Sequence, residues 1–248
     1  MALLAHAWIL LPAVLLAGGL IGATGIGGVL LVPVLTRFGE VPAPQAIAAA
    51  SLAFALPALV ALRPLAREPA LARRTVPLLA GALAGAAGGA LLVQALPARV
   101  LLGGVTALVL FAGVRGFMAQ DRHADAAPLL SVPVLAGLGL LVGIGSALTG
   151  TGGPVLLLPL LMLCRQRVDF AVIAAQAVQL PVALTSSAVH AAAHRLDWGL
   201  AAACGVLMLL GSLAGQRVAR GLDRQRLQRF VSGLLLLVGA WFVYLLFA

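Results

Sequence analysis

The sequence predicts an all-α polytopic membrane protein built from two homologous repeats of four hydrophobic segments each, and three observations carry that reading. The first is composition. Of 248 residues, 62% are hydrophobic and only 9% charged, against about 25% charged in a soluble domain. The second is the recurrence of apolar runs of roughly 20 residues, the length that crosses a hydrocarbon core. These runs lack the alternation of a membrane β-barrel, so helices are the spanning structure that satisfies its own backbone in lipid. The third is an internal duplication. Thr24 to Pro33 read T-G-I-G-G-V-L-L-V-P, and Thr149 to Pro159 read T-G-T-G-G-P-V-L-L-L-P.

Residues 7–36 form the first segment, interrupted by Gly25, Gly27 and Gly28 and closed by Arg37, Gly39 and Glu40. It begins without a basic stretch, so it reads as a retained helix and not as a signal peptide. Residues 43–62 form the second, rich in small residues that let helix backbones approach, with Pro57 inside it. The third, 75–96, carries Gly85 and Gly89 as a GxxxG contact face. The fourth spans 100–118. A hydrophilic linker at 120–126 then separates a first repeat, 1–119, from a second, 127–248.

The second repeat follows the same order. Its first segment, 127–164, contains the other glycine break; the next, 170–189, carries Gln176, Gln179 and Pro181. Residues 198–216 repeat the GxxxG as Gly211 and Gly215, and 230–247 close the chain with Trp241 and Tyr244 as interfacial anchors. Pro33, Pro57, Pro159 and Pro181 read as kinks, and Cys164 and Cys204 as small core residues. The offset between copies is 125 for Thr24 and Thr149 and 126 for Gly85 and Gly211.

All sixteen basic residues are arginine, and they fall in the breaks between apolar runs, where they act as topology signals and not as a nucleic-acid surface. Single crossings by every segment would spread them evenly over the two faces. If the two glycine-broken segments instead enter and leave by one face, Arg63, Arg67, Arg73, Arg74, Arg115, Arg122, Arg165, Arg167, Arg217, Arg220, Arg224, Arg226 and Arg229 share a side, leaving Arg37, Arg99 and Arg195 opposite. The positive-inside rule selects that arrangement. It makes the repeats inverted, with both termini outside, a design that recurs in transporters built on broken helices.

The early G-x-G-G followed by V-L-L-V-P, the A-A-A-S-L stretch ending at Leu52, the repetition of both, and the Leu196-Asp197-Trp198 entry to the seventh segment give the chain a resemblance over nearly its full length. It resembles the sulfite exporter TauE/SafE family of membrane permeases. The resemblance implies transport of small anions, such as sulfite and organosulfonates, across the cytoplasmic (inner) membrane.

The residues supply a chemistry for an anion. A broken helix leaves unpaired N–H groups at the start of its second half, where the helix dipole adds about +0.5 charge. Such an end binds anions without a basic side chain. Gly25, Gly27 and Gly28, with Gly150, Gly152 and Gly153, allow close backbone approach. Thr24, Ser51, Thr149, Thr151, Gln176 and Gln179 add neutral hydrogen bonds. The two breaks are expected to converge near the midplane.

The apolar segments hold no carboxylate, which leaves His190 and His194, four apart, as candidates for proton coupling. A helical i, i+4 pair also resembles metal ligands, but no third ligand accompanies it, so no metal and no cofactor are expected. The expected partners are a small anionic substrate and the lipid bilayer, without nucleic acid; the sequence permits a homo-oligomer. Two competing classes are an intramembrane enzyme, with Ser146 as nucleophile and His190 as base, and a non-transporting assembly subunit.

Overall fold

The computed structural model describes residues 7–24, 27–62, 65, 69–118, 130–219, 221 and 224–247. The expected linker at 120–126, Gly25, Arg63, Arg67 and Arg220 lie outside the described residues. Every regular element among the described residues is helical. Ahead of the linker lie α1 (Ala7–Thr24), a 3-10 turn (Gly27–Leu30), α2 (Leu31–Phe38), α3 (Ala43–Ala53), α4 (Ala55–Ala61), α5 (Pro69–Ala95) and α6 (Ala98–Met118). After it come α7 (Val132–Thr149), α8 (Pro154–Leu163), α9 (Val168–Ala192), α10 (Trp198–Ala219) and α11 (Arg224–Phe247). Among the described residues, five stretches are long and apolar enough to cross a membrane: Ala43–Val60, Pro69–Val93, Val132–Thr149, Phe170–Ala192 and Trp198–Val218.

Both long first segments break where the glycines stand. They do not break in the same way. In the second copy α7 ends on Gly150, whose left-handed φ of 64° lets the Gly150 N–H donate to the Ser146 carbonyl at 2.8 Å. Gly152 and Gly153 follow at φ 81° and 105°, where a Cβ is strained. Pro154 then opens α8, a position at which its missing N–H costs nothing. The first copy has Val29 where Pro154 stands, retains that N–H, and winds Gly27–Leu30 into a 3-10 turn.

Two segments begin earlier than their apolar runs. Helix α5 starts at Pro69, a favourable first-turn residue, so Arg73 and Arg74 lie exposed on the helix and not in a loop. Helix α11 starts at Arg224, six residues ahead of its apolar stretch. Hydropathy marks the membrane core, and a helix can extend beyond it.

The GxxxG motifs pack as their composition requires. Lipid tails are as apolar as leucine, so helices associate by close contact at small residues. A Cβ on Gly81, Gly85 or Gly89 of α5 would strike the backbone of Ala136, Leu140 or Ile144 of α7, in that order. In the other repeat, Gly211 and Gly215 of α10 press on Leu15 and Gly19 of α1. Residue numbers rise together in both pairs, so α5 runs parallel to α7 and α10 parallel to α1. Helices α6 and α11 pack the other way: Gly113 meets Leu236 while Gly239 meets Leu110, so they are antiparallel. Trp241 of α11 also stacks at a tilt on Phe38 of α2, ring centres 5.9 Å apart.

Helix α3 forms the centre. Ala46, Ile47, Ala48, Ala49, Ala50 and Ala53 are all inaccessible, and α9 and α10 pack around them. Leu83, Leu91, Leu141, Leu210 and Leu237 point outward, an apolar exterior suited to lipid.

Candidate functional site

The site begins with Pro57. A proline in a helix removes one hydrogen bond and pushes against the carbonyl four residues back, here that of Ala53. The chain stays helical through Phe54, between α3 and α4: its N–H donates to the Ala50 carbonyl at 3.2 Å and its carbonyl accepts from Ala58 at 3.0 Å. Phe54 is completely buried, and among the described residues it is the largest side chain so enclosed.

Both glycine breaks close on that ring. A Cβ on Gly28 would overlap the Phe54 ring at Cε1 and Cζ, and a Cβ on Gly152 would stand 3.1 Å from its Cγ and Cδ1. The side-chain amide of Gln179 lies at the same 3.1 Å from that Gly152 position. Glycine is therefore required at 28 by a close neighbour and at 152 by both neighbours and backbone.

Beside this junction lies a cavity of about 30 Å³, lined by Ile21, Gly22, Pro57, Pro154, Gln176, Gln179, Ser212 and Gln216. That space exceeds the roughly 10–15 Å³ that admits a water. None of the lining side chains is charged. Three amides and one hydroxyl offer donors and acceptors, and the N-terminus of α8 faces the same space through Pro154. Leu156 and Leu157 donate to the Gly153 carbonyl at 3.1 and 3.0 Å. Among the described residues, no backbone hydrogen bond outside the helices uses the N–H of Gly152, Gly153 or Val155.

Of the residues expected to form the site, Gln176 and Gln179 line the cavity, three apart on one face of α9. Gly152 and Gly28 abut Phe54, and Gly153 lies against Val178 of α9, beside Gln179. Gly150 faces Val32 and Ile47. Thr149 donates to the Gly145 carbonyl at 2.7 Å and pairs with the Thr151 hydroxyl at 2.9 Å, so the two threonines brace the break. Ser51 donates to the Ile47 carbonyl at 2.8 Å and is not among the lining residues. Gly27 opens the 3-10 turn; Gly25 and the side chain of Thr24 lie outside the described residues.

Sequence reasoning missed Phe54, Ser212 and Gln216. A signal was available for the last two: polar residues one place after Gly211 and Gly215 of the GxxxG face, where the first repeat has Ala86 and Ala90.

His190 and His194 are not the helical pair their spacing predicts. Helix α9 ends at Ala192, and His194 is exposed in the left-handed region at φ 54°. His190 is fully buried, with neither ring nitrogen hydrogen-bonded among the described residues. The pairing of Ser146 with His190 as nucleophile and base also fails. Ser146 Oγ and Val178 both border Gly153, and twelve residues of α9 separate Val178 from His190, about 18 Å along a helix.

The chain matches the family described as Sulfite exporter TauE/SafE over residues 10–242. No curated protein and no solved structure matches it. That family is one of membrane transporters and not of enzymes. A match over nearly the whole length, on a bundle of membrane-crossing helices with a polar cavity at its glycine breaks, places this chain in the sulfite exporter TauE/SafE family.

Proposed function

We propose that this protein carries sulfite or organosulfonate anions across the cytoplasmic membrane, and that the anion binds between the N-terminus of α8 and the amides of Gln176, Gln179 and Gln216. The observation that carries this reading is the cavity itself: uncharged donors from α9 and α10 and the positive end of α8 meet inside a membrane-spanning bundle. Such a site selects for negative charge through the dipole and through N–H groups. It leaves no fixed cation to hold the anion too tightly for release.

The architecture supports an alternating-access device. Helices α6 and α11 are equivalent segments of the two repeats and run antiparallel, as inversion requires. Only two residues join α5 to α6, and four join α10 to α11, so each pair crosses in opposite senses. Traced through the parallel pairs α5/α7 and α1/α10, α1 and α5 then run oppositely. With one crossing by α3 and α4 between them, the first segment must return to the face it entered. Both broken segments are re-entrant in this reading, and the two halves rock about the site between them.

In the same reading His190 is the intramembrane group available for proton coupling.

Proteoliposome flux with radiolabelled sulfite tests the proposal. Saturable uptake that competes with methanesulfonate is expected. Vesicles that pass none of several sulfur anions would leave a non-transporting subunit as the better account.

A further inference from the structure

We propose that Phe54 is the partition of the permeation path, closing the route between the two glycine breaks and setting by its bulk which anions pass. The inference rests on the transport reading above and adds the residue that gates and sizes the path.

Three observations carry it. The ring bridges the breaks: its Cε1 and Cζ edge lies on Gly28, and its Cγ and Cδ1 side lies on Gly152. A flat ring held between two Cβ-less residues fills a slot that any larger neighbour would obstruct. Second, Phe54 directly follows Ala53, whose carbonyl Pro57 deprives of its usual helical donor. Backbone rotation there breaks fewer hydrogen bonds than it would within an intact helix. Third, Phe54 occupies the repeat position of Gln179, 125 residues earlier. The second repeat places an amide against the cavity at this position, whereas the first places a ring. One half of the junction is therefore built to hold an anion and the other to stop it.

The consequence is an asymmetric path with one polar station and one apolar stop. Shortening the stop should make the path leaky and less selective. A residue that merely fills the core would, when shortened, lower the amount of folded protein without changing the ratio of anions carried.

The experiment compares wild type with Phe54→Ala, Phe54→Leu and Phe54→Tyr in proteoliposomes, measuring sulfite and ethanesulfonate flux per folded protein, with melting curves in detergent. Phe54→Ala is expected to raise ethanesulfonate flux relative to sulfite on the order of tenfold, and to pass anion without a driving gradient. Phe54→Leu should lie between, and Phe54→Tyr should keep the wild-type ratio. If Phe54→Ala does not fold, the Leu and Tyr variants decide. Flux that falls only with folded yield, at a constant anion ratio, overturns the partition while leaving the transport reading intact. Wild-type vesicles that carry no sulfur anion overturn both.

Discussion

Phe54 and Gln179 stand 125 positions apart, the spacing of the internal repeat, and both lie 3.1 Å from the point where a side chain on Gly152 would begin. One glycine thus receives the equivalent residues of both repeats, one apolar and one polar. The two breaks meet at this glycine, and the difference between the residues at these two positions contributes a polar side and an apolar side to the junction.

Gly152 is a position at which a small change should cost both fold and flux. Its φ of 81° disfavours any Cβ, a penalty of more than about 1 kcal/mol. Forcing the Phe54 ring and the Gln179 amide apart adds about 1–3 kcal/mol of overpacking. Gly152→Ala is expected to lower the detergent melting temperature and to abolish sulfite flux. Gly88→Ala is the control, since Gly88 is exposed and a Cβ there meets nothing. Equal flux from the two variants would place the site elsewhere.

Gln179→Leu separates binding from stability. A hydrogen bond to a charged group contributes about 1.5–3 kcal/mol, so the apparent affinity for sulfite should fall about 10- to 100-fold. The melting temperature should hold or rise, because a buried amide is replaced by an apolar group of similar size. Ser51→Ala removes a hydroxyl bonded to the Ile47 carbonyl and away from the cavity, and it should leave affinity unchanged. Concentration dependence of initial flux checks both.

The fold was legible because its signals are local. Apolar runs marked the helices, and glycine clusters marked the breaks within a residue or two of Thr24 and Thr149. Gly85 and Gly211 announced their contact faces because backbone approach demands a small residue at that point. The site was only half legible, because a cavity is a property of several helices at once. Gln176 and Gln179 stood out as amides in an apolar run. Phe54 did not, since an aromatic residue in a membrane helix is unremarkable until the neighbours on both sides are known to be glycines. Ser51 stood out as a polar residue in an apolar run, and its hydroxyl donates to the Ile47 carbonyl of its own helix. Likewise the spacing of His190 and His194 implied a shared face only while the helix was assumed to continue past Ala192.

His190 should be dispensable for folding and necessary for coupling. A buried imidazole without partners costs about 1–3 kcal/mol, so a purely structural role predicts that His190→Leu is neutral or stabilising in every assay. Of the helices packed against α9, α3, α4, α7 and α8 carry no titratable side chain, and α5 carries only Arg73 and Arg74, which stay charged. A proton moving through this region has His190 as its acceptor. His190→Gln is therefore expected to retain sulfite exchange at equal pH on both sides and to lose the response of net flux to an imposed pH gradient. An unchanged response would remove the histidine from the mechanism.

The re-entrant arrangement can be tested without knowing the substrate. Arg73 lies at the start of α5 and Arg167 just before α9, and both are exposed. If the glycine-broken segments return to the face they enter, these two arginines share the cytoplasmic side. If every segment crosses once, they lie on opposite sides. Arg99, exposed near the start of α6, supplies the outside reference in the re-entrant case. In a background with Cys164→Ala and Cys204→Ala, the single variants Arg73→Cys, Arg167→Cys and Arg99→Cys would be exposed to a membrane-impermeant maleimide in intact and in permeabilised cells. Labelling of Arg99→Cys in intact cells, with Arg73→Cys and Arg167→Cys reacting only after permeabilisation, is the expected result. Protection of Arg73→Cys together with labelling of Arg167→Cys, or the reverse, would restore single crossings. The parallel packing of α1 on α10 and of α5 on α7 would then need a different chain path between them.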